Sequence, residues 1–167
     1  MFLGGGMNFQ RIMRRILLMK TIILIVVISV ITRKKEDNSL LVINEICSRN
    51  ASIIGNDFSD TVDYIELYNN SDETLSLDGW FLSDDSNNLE LQSLSGIVIP
   101  ANSFKILYAD GVGEGNHSLG FKISQSGECI FLTNPEGVII NQIYVPKLAM
   151  DTTYARISDG NRKWDVL

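Results

Sequence analysis

The sequence has few of the residues that most catalytic and metal sites require, since it contains one histidine and two cysteines in 167 residues. Cys47 and Cys129 lack CxxC spacing, so we expect no structural zinc site, and a single disulfide between them stays open if the domain is exported. His117 lies in a glycine-rich loop with no nucleophile motif beside it, which argues against a Ser-His-Asp or Cys-His site. We therefore predict no cofactor and no enzymatic activity.

Basic residues are also scarce after position 35. The first 35 residues hold seven of the 14 Lys and Arg residues and no acidic one. From residue 36 onward, seven basic residues minus all 20 acidic residues give a net charge of −13. Such a surface repels a phosphate backbone and offers no clustered basic footprint, so we predict no nucleic-acid partner. The glycine-rich residues 111–115 are not a phosphate loop, because no Lys-Ser/Thr follows them.

No segment after residue 40 keeps a helical hydrophobic period over ten residues. Short stretches instead alternate with a period of two, as at 62–68 and 128–133, and turn-forming residues separate them. Residues 40–47 break this alternation near Asn44 and Glu45, which predicts a β-bulge. Eight or nine such strands predict an all-β sandwich or small barrel.

Several details follow from the same patterns. We expect the strand at 104–108 to alternate through Phe104, Ile106 and Tyr108, and a brief strand at 121–124. Asn134 to Gly137 predicts a hairpin turn. The residues predicted to face the core are Ile65, Leu67, Ile130 and Leu132. Trp80 is predicted to anchor the core and Trp164 to anchor the closing strand.

The N-terminal segment differs in composition from the rest. Basic residues precede an apolar run at 22–31, which is typical of an export signal and short for a bilayer-spanning helix of roughly 20 residues. No small-x-small cleavage site follows, so a signal peptide and an uncleaved anchor through residues 16–32 both stay open, with a buried strand as a third interpretation. We therefore divide the chain into a signal or anchor at 1–35, a linker at 36–39 and a domain at 40–167.

Carboxylates and amides cluster in two places. Asn44, Glu45, Asp63 and Glu66 would support acid–base catalysis only in a cleft with shifted pKa values, and no cleft is predicted. We interpret them as hydrogen-bonding groups of turns and strand edges, with Glu66 directed to solvent or to the sheet rim.

An acidic loop offers the one set of candidate metal ligands. Asp57, Asp60 and Asp63 have oxygen-ligand spacing that could suit calcium. They do not match the EF-hand loop, with its glycine and terminal glutamate. We therefore predict no metal and name these three residues as the calcium candidates.

Six pieces of the sequence carry a family resemblance. They are VINEI at 42–46, DYIELYN at 63–69, LDGWFLSD at 77–84, IVIPANSFKILYADG at 97–111, SGECIFLTNPEGVII at 126–140 and DTTYARISDGNRKW at 151–164. Together and in this order they resemble the lamin tail domain, an immunoglobulin-like β-sandwich of nuclear lamins and many exported bacterial proteins. The likeness is closer to the bacterial branch, in the Asn-Glu of the first strand, the acidic surface and the export signal.

The resemblance implies a non-catalytic, extracytoplasmic binding or scaffolding module at the cell surface, either membrane-anchored and facing the outside or secreted. Its partner would be an unknown protein or cell-envelope component. The alternative is an N-terminal accessory domain of a larger exported enzyme, a hydrolase or kinase-like protein. The family usually continues into a Thr-Pro-Gly closing segment after the position of Leu167, so the resemblance also implies a fragment or a sandwich one strand short.

Overall fold

The structure is a computed structural model of the 167-residue chain. It describes residues 13, 16, 17, 19, 20, 39–55, 61–115 and 117–167. The chain divides into two compact units, Met1–Glu36 and Asp37–Leu167. In the first unit the described residues are helical, and no helix in the described part of the chain is long and apolar enough to cross a bilayer. The predicted apolar run at 22–31 lies outside the described residues.

The second unit is all-β, as predicted, and its described residues form eleven strands. Three of the longest, β2, β7 and β8, fall on stretches in which the sequence alternates with a period of two. The strands are β1 Leu41–Cys47, β2 Tyr64–Asn69, β3 Leu75–Ser76, β4 Phe81–Ser83, β5 Gln92–Ser93, β6 Val98–Ile99, β7 Phe104–Tyr108, β8 Glu128–Thr133, β9 Ile139–Val145, β10 Tyr154–Arg156 and β11 Trp164–Val166.

Two antiparallel sheets form a β-sandwich. The first has the strand order β11-β10-β1-β2-β7, the second has the order β5-β4-β8-β9, and β3 and β6 form a separate pair. One cluster of buried apolar side chains joins the sheets, including Ile65 and Leu67 from the first and Ile130 and Leu132 from the second. Burying each such side chain contributes roughly 1.5–3 kcal/mol, so this shared core holds the sandwich together.

The predicted bulge is present in β1. Ile43 pairs with Leu67 and Glu45 pairs with Glu66, so Asn44 is the extra residue. Because side chains alternate between the two faces of a strand, one inserted residue moves the side chains that follow it to the opposite face. Ile43 and Ile46, three positions apart, are therefore both fully buried.

Other local predictions are confirmed. The amide of Gly137 donates to the carbonyl of Asn134 at 2.9 Å and closes the predicted β8–β9 hairpin turn. Trp80 is only 7% exposed and belongs to the core cluster. Trp164 begins the last strand and stacks on Tyr154, with ring centroids 5.0 Å apart.

One strand prediction is wrong, and the predicted strand at 104–108 is present with Leu107 on its core face. Residues 121–124 form no strand, although Phe121 and Ile123 are buried in the core. In β7, Leu107 is buried whereas Phe104 is 44% exposed. Leu107 lies directly opposite Ile65, and residues opposite each other share a face, so the register places Leu107 in the core.

Asn69 has a structural role that its turn-like surroundings did not reveal. It ends β2 and is fully buried. Its side-chain Nδ2 donates to the carbonyls of Glu73 at 2.8 Å and of Ile99 and Pro100 at 2.9 Å. Its Oδ1 accepts from the hydroxyl of Ser71 at 2.7 Å. One amide therefore holds the loops after β2 and β6 together.

Candidate functional site

The bulge in β1 directs the Asn44 side chain into a polar cluster on the five-stranded sheet. Its Nδ2 donates to Glu66 Oε1 at 2.9 Å and to Asp159 Oδ1 at 3.1 Å. Its Oδ1 accepts from the amide of Gly160 at 3.2 Å. Gly160 has a φ of +68°, and a Cβ there would lie 2.9 Å from Asn70 Oδ1. The Asn44 amide thus connects β1, β2 and the turn between β10 and β11.

The carboxylates beside Asn44 are engaged in hydrogen bonds. Glu45 Oε1 accepts from the Tyr64 hydroxyl at 2.6 Å. Burial raises the pKa of Glu66, and the nearby carboxylates of Glu45 and Asp159 add to this effect, while the hydrogen bond from Asn44 opposes it. We predicted Glu66 at the solvent face or sheet rim, but β2 is an inner strand and Glu66 is half-buried.

The pKa of the tyrosine in this cluster is also raised. Burial raises the pKa of Tyr64, and its hydrogen bond to Glu45 raises it further. The Tyr64 hydroxyl therefore stays protonated at every physiological pH and donates to Glu45. In the part of the chain that the structure describes, no group of three or more His, Cys, Asp and Glu side chains is arranged to hold a metal ion.

Arg156 is buried next to this cluster, with 5% of its surface exposed. Its Nε donates to the carbonyl of Ile43 at 2.6 Å, and its guanidinium also donates to the carbonyl of Asn161. Asn141 Oδ1 accepts from the amide of Ile43 at 2.7 Å. Strand β10 pairs with β1 only at Glu45 and Ile46. The side chains of Asn141 and Arg156 therefore bond to the backbone amide and carbonyl of Ile43, where no β10 residue pairs with β1.

A solvent-open groove of ≈ 350 Å³ lies beside Arg156. Residues 140–143 of β9 line one part of it, and Arg156, Arg162 and Trp164 line the rest. The Arg156 guanidinium lies 5.1 Å from the centroid of the Trp164 ring, a cation–π distance. Among the residues that the structure describes, this lining includes two arginines and no carboxylate.

The structure describes one of the three calcium candidates, Asp63. Asp57 and Asp60 lie outside the described residues. Asp63 Oδ1 accepts from the amide of Asn50 at 3.3 Å. Burial raises the pKa of Asp63, and this hydrogen bond and the charge of Lys122 oppose the rise. Asp63 therefore supports the loop after β1 through Asn50.

The remaining sequence candidates are structural or exposed. His117 Nε2 lies 2.6 Å from Lys105 Nζ at an exposed position. Cys47 and Cys129 are both free, so the disulfide that the sequence left open is not formed. Burial raises the pKa of the Cys47 thiol, which makes it an unreactive, core-type cysteine.

Sequence reasoning missed Asn141, Arg156 and Asp159 as members of these clusters. They contact β1 residues that are 98 to 115 positions away in sequence, so no local pattern links them. One signal was available for Arg156. It is a basic residue within a short strand of a strongly acidic domain, and a charge in such a position needs specific partners.

The two sheets, the shared core and the bulged inner strand define the chain as an immunoglobulin-like β-sandwich. Residues 34–147, which include β1 to β9, match the model of the Lamin Tail Domain family. The chain therefore belongs to the lamin tail domain family. No curated protein matches the chain significantly. Arg156, Arg162 and Trp164 lie after the matched segment.

Proposed function

We propose that this protein is a non-catalytic binding or scaffolding module that acts outside the cytoplasmic membrane. The observation that carries the proposal is that the conspicuous polar groups are used within the fold. Asn44 and Glu66 bond to each other at 2.9 Å, and Arg156 donates to the backbone of Ile43. These groups stabilise a bulge and a strand end, and the sandwich surface is left for contacts with a partner.

The location outside the membrane rests on the sequence. The apolar run at 22–31 follows basic residues, and four basic residues before it against three after it favour an N-inside orientation. The acidic surface of the domain resembles that of exported bacterial members of the family. The domain would then face the outside, anchored through residues 16–32 or released after cleavage.

Protease accessibility in cells whose cytoplasmic membrane is intact tests this location. The full chain with a C-terminal epitope should be degraded by externally added protease after the outer layers are permeabilised. Replacing Ile25 and Val27 by arginine in the apolar run should leave the epitope protected inside the cell, because each charge opposes insertion by about 2.5–3.5 kcal/mol. Val98→Arg, at a position that is 56% exposed, is the control and should not change accessibility. Protection of the unaltered chain would contradict the proposal.

The alternative is that the module is an accessory part of a larger exported enzyme. It is supported by the resemblance to exported proteins that attach this domain to hydrolases or kinase-like domains. Sequencing the messenger RNA beyond the codon for Leu167 separates the two. An open frame that encodes a catalytic domain would favour the accessory role, and a stop codon would favour the independent module.

A further inference from the structure

The outer face of the five-stranded sheet carries a pair of stacked aromatic rings. Tyr68 of β2 pairs with Phe104 of β7, and their ring centroids lie 4.8 Å apart with an angle of 29° between the ring planes. Leu67 of β2 and Leu107 of β7 belong to the core. Because side chains alternate between the two faces of a strand, both rings lie on the face opposite the core.

Phe104 presents one side of its ring to solvent. Strand β7 is the last strand of its sheet among the described residues, and Phe104 is 44% exposed. Tyr68 covers the side of the ring that faces β2, so the open area lies on the side and edge turned away from it. A ring that is already held by a stacked neighbour loses little side-chain freedom when a ligand binds to its open side.

A carboxylate lies on the same face as the ring pair. Glu66 is two residues before Tyr68 and pairs with Ile106 of β7, so Glu66 and Phe104 are diagonal neighbours, roughly 7–8 Å apart. Glu66 Oε1 accepts from Asn44 Nδ2 at 2.9 Å, and Asn44 is the one hydrogen-bond partner of this carboxylate among the described residues. The Asn44 bond holds the carboxylate in place while Oε2 can accept from a ligand.

This combination of groups suits the chemistry of a sugar ring. A pyranose with equatorial hydroxyls has a face of C–H groups and a rim of hydroxyls. The C–H face packs against the electron-rich face of an aromatic ring, and the rim hydroxyls donate to a carboxylate. A sugar residue stacked on Phe104 would direct its own hydroxyls, or those of the next residue, toward Glu66, with the half-buried Ile106 between them.

The charge of the domain selects among sugars. From residue 36 onward, seven basic and 20 acidic residues give a net charge of −13, and Glu45 and Asp159 lie close enough to Glu66 to influence its ionisation. A glycan that carries carboxylates or phosphates would be repelled from this face, whereas an uncharged glycan would not. The same repulsion opposes a second copy of this chain as the occupant.

We propose that the aromatic face, formed by Glu66, Tyr68, Phe104 and Ile106, binds an uncharged β-1,4-linked polysaccharide. The inference rests on the proposed role as a binding module outside the membrane and names its partner as a glycan. A single exposed apolar residue needs no explanation. Here a stacked ring, an apolar neighbour and a fixed carboxylate share one face, which is the combination that ligand sites use for affinity and orientation.

Cellopentaose and its C6-oxidised form test the proposal with the full chain in a detergent that has no sugar headgroup. The two pentasaccharides share their linkage and differ in the carboxylates of the oxidised form. Titration calorimetry should show cellopentaose binding at least about tenfold more tightly than the oxidised form. Saturation-transfer NMR should show the strongest transfer to the C–H protons of the sugar rings, because these protons contact the aromatic side chain.

Two variants of the protein locate the site. Phe104→Leu keeps an apolar side chain at a partly exposed position but removes the ring, so it should fold and weaken cellopentaose binding about fivefold. Tyr144→Ala is the control, since Tyr144 is 62% exposed on β9 of the other sheet, and it should change the affinity less than about twofold. Urea unfolding of both variants checks that they are folded.

The proposal is wrong if cellopentaose does not bind or if both pentasaccharides bind equally. It is also wrong if Phe104→Leu keeps full affinity, which would indicate a general apolar contact, or if Tyr144→Ala loses as much affinity as Phe104→Leu. Self-association that Phe104→Leu abolishes in sedimentation velocity would instead assign the face to a second copy. The protease experiment on location is independent of these results. Failure here with an external location would leave the general binding role in place and remove only this partner and surface.

Discussion

Asn141 Oδ1 accepts a hydrogen bond from the backbone amide of Ile43 at 2.7 Å, across 98 residues of sequence. This contact ties the edge strand β9 of one sheet to the inner strand β1 of the other. Arg156 completes the arrangement by donating to the carbonyl of the same Ile43 at 2.6 Å. Ile43 is fully buried, so water cannot replace either partner readily.

Asn141→Ala should destabilise the domain by about 1–3 kcal/mol, because it leaves a buried backbone amide without its acceptor. Urea unfolding followed by tryptophan fluorescence measures the change. Gln142→Ala, at the exposed neighbouring position on the same strand, should stay within about 0.5 kcal/mol of the unaltered chain. Equal effects of the two variants would show that the contact to Ile43 has no specific role.

Asn69→Ala should cost about 3 kcal/mol, because three carbonyls that accept from its Nδ2 lose that donor. The loss should appear as a lower urea midpoint with an unchanged slope. Asn87, whose side chain bonds to Asp85 in an exposed turn, provides the matched control, and Asn87→Ala should cost less than about 1 kcal/mol. A small effect at Asn69 would mean that the two loops are held by other contacts.

Glu66 should make the domain less stable as the pH rises. Its pKa is raised by burial, so the folded state keeps a proton that the unfolded state, with a pKa of about 4.3, has already lost. Stability therefore falls as the pH rises from the unfolded pKa through the folded one. Glu66→Gln keeps an acceptor for Asn44 and removes the titration, so the fall should become shallower.

Urea unfolding at a series of pH values from 4 to 8 measures this dependence. Asp63 and Glu128 have pKa values raised by burial as well, so part of the fall should persist in the Glu66 variant. Glu90→Gln, the same substitution at an exposed position, is the matched control. Stability of the unaltered chain that rises steadily between pH 5 and 8 would contradict the expectation.

The two cysteines should both be free thiols and should differ in their reactivity toward a thiol reagent. Cys47 is fully buried and Cys129 is partly exposed, so a thiol reagent should modify Cys129 first in the native protein. Cys47 should react mainly after unfolding, because burial disfavours its thiolate. Reducing agent should not change the melting temperature. A stabilisation that is lost on reduction would instead indicate a disulfide.

The strands could be predicted well where the evidence for them is local. The period-two alternation of 128–133 and the turn residues 134–137 act between neighbours along the chain, and β8 and its hairpin form there. The segment 121–124 looked equally strand-like, since Phe121 and Ile123 alternate. It lacks a strand partner among the described residues, and pairing is a property of the whole sheet that alternation alone does not specify.

The polar cluster could be predicted only as a set of residue types. Asn44 and Glu66 were singled out from the sequence, but their contact depends on the bulge that brings them to 2.9 Å. Asp159 joins them from 115 residues away. The raised pKa of Glu66 follows from burial among these neighbours, which no local pattern encodes.

The sequence by itself determined the all-β class, the bulge near Asn44, the core positions of Ile65, Leu67 and Trp80, and the resemblance to the lamin tail domain. These depend on side-chain alternation, turn chemistry and the order of short segments, all of which are readable along the chain. Only the tertiary structure decided that Asn141 and Arg156 satisfy Ile43, that Leu107 faces the core, and that β9 lies at an edge beside an arginine groove. Those features arise from strand order and long-range packing, which bring together residues that are remote in sequence.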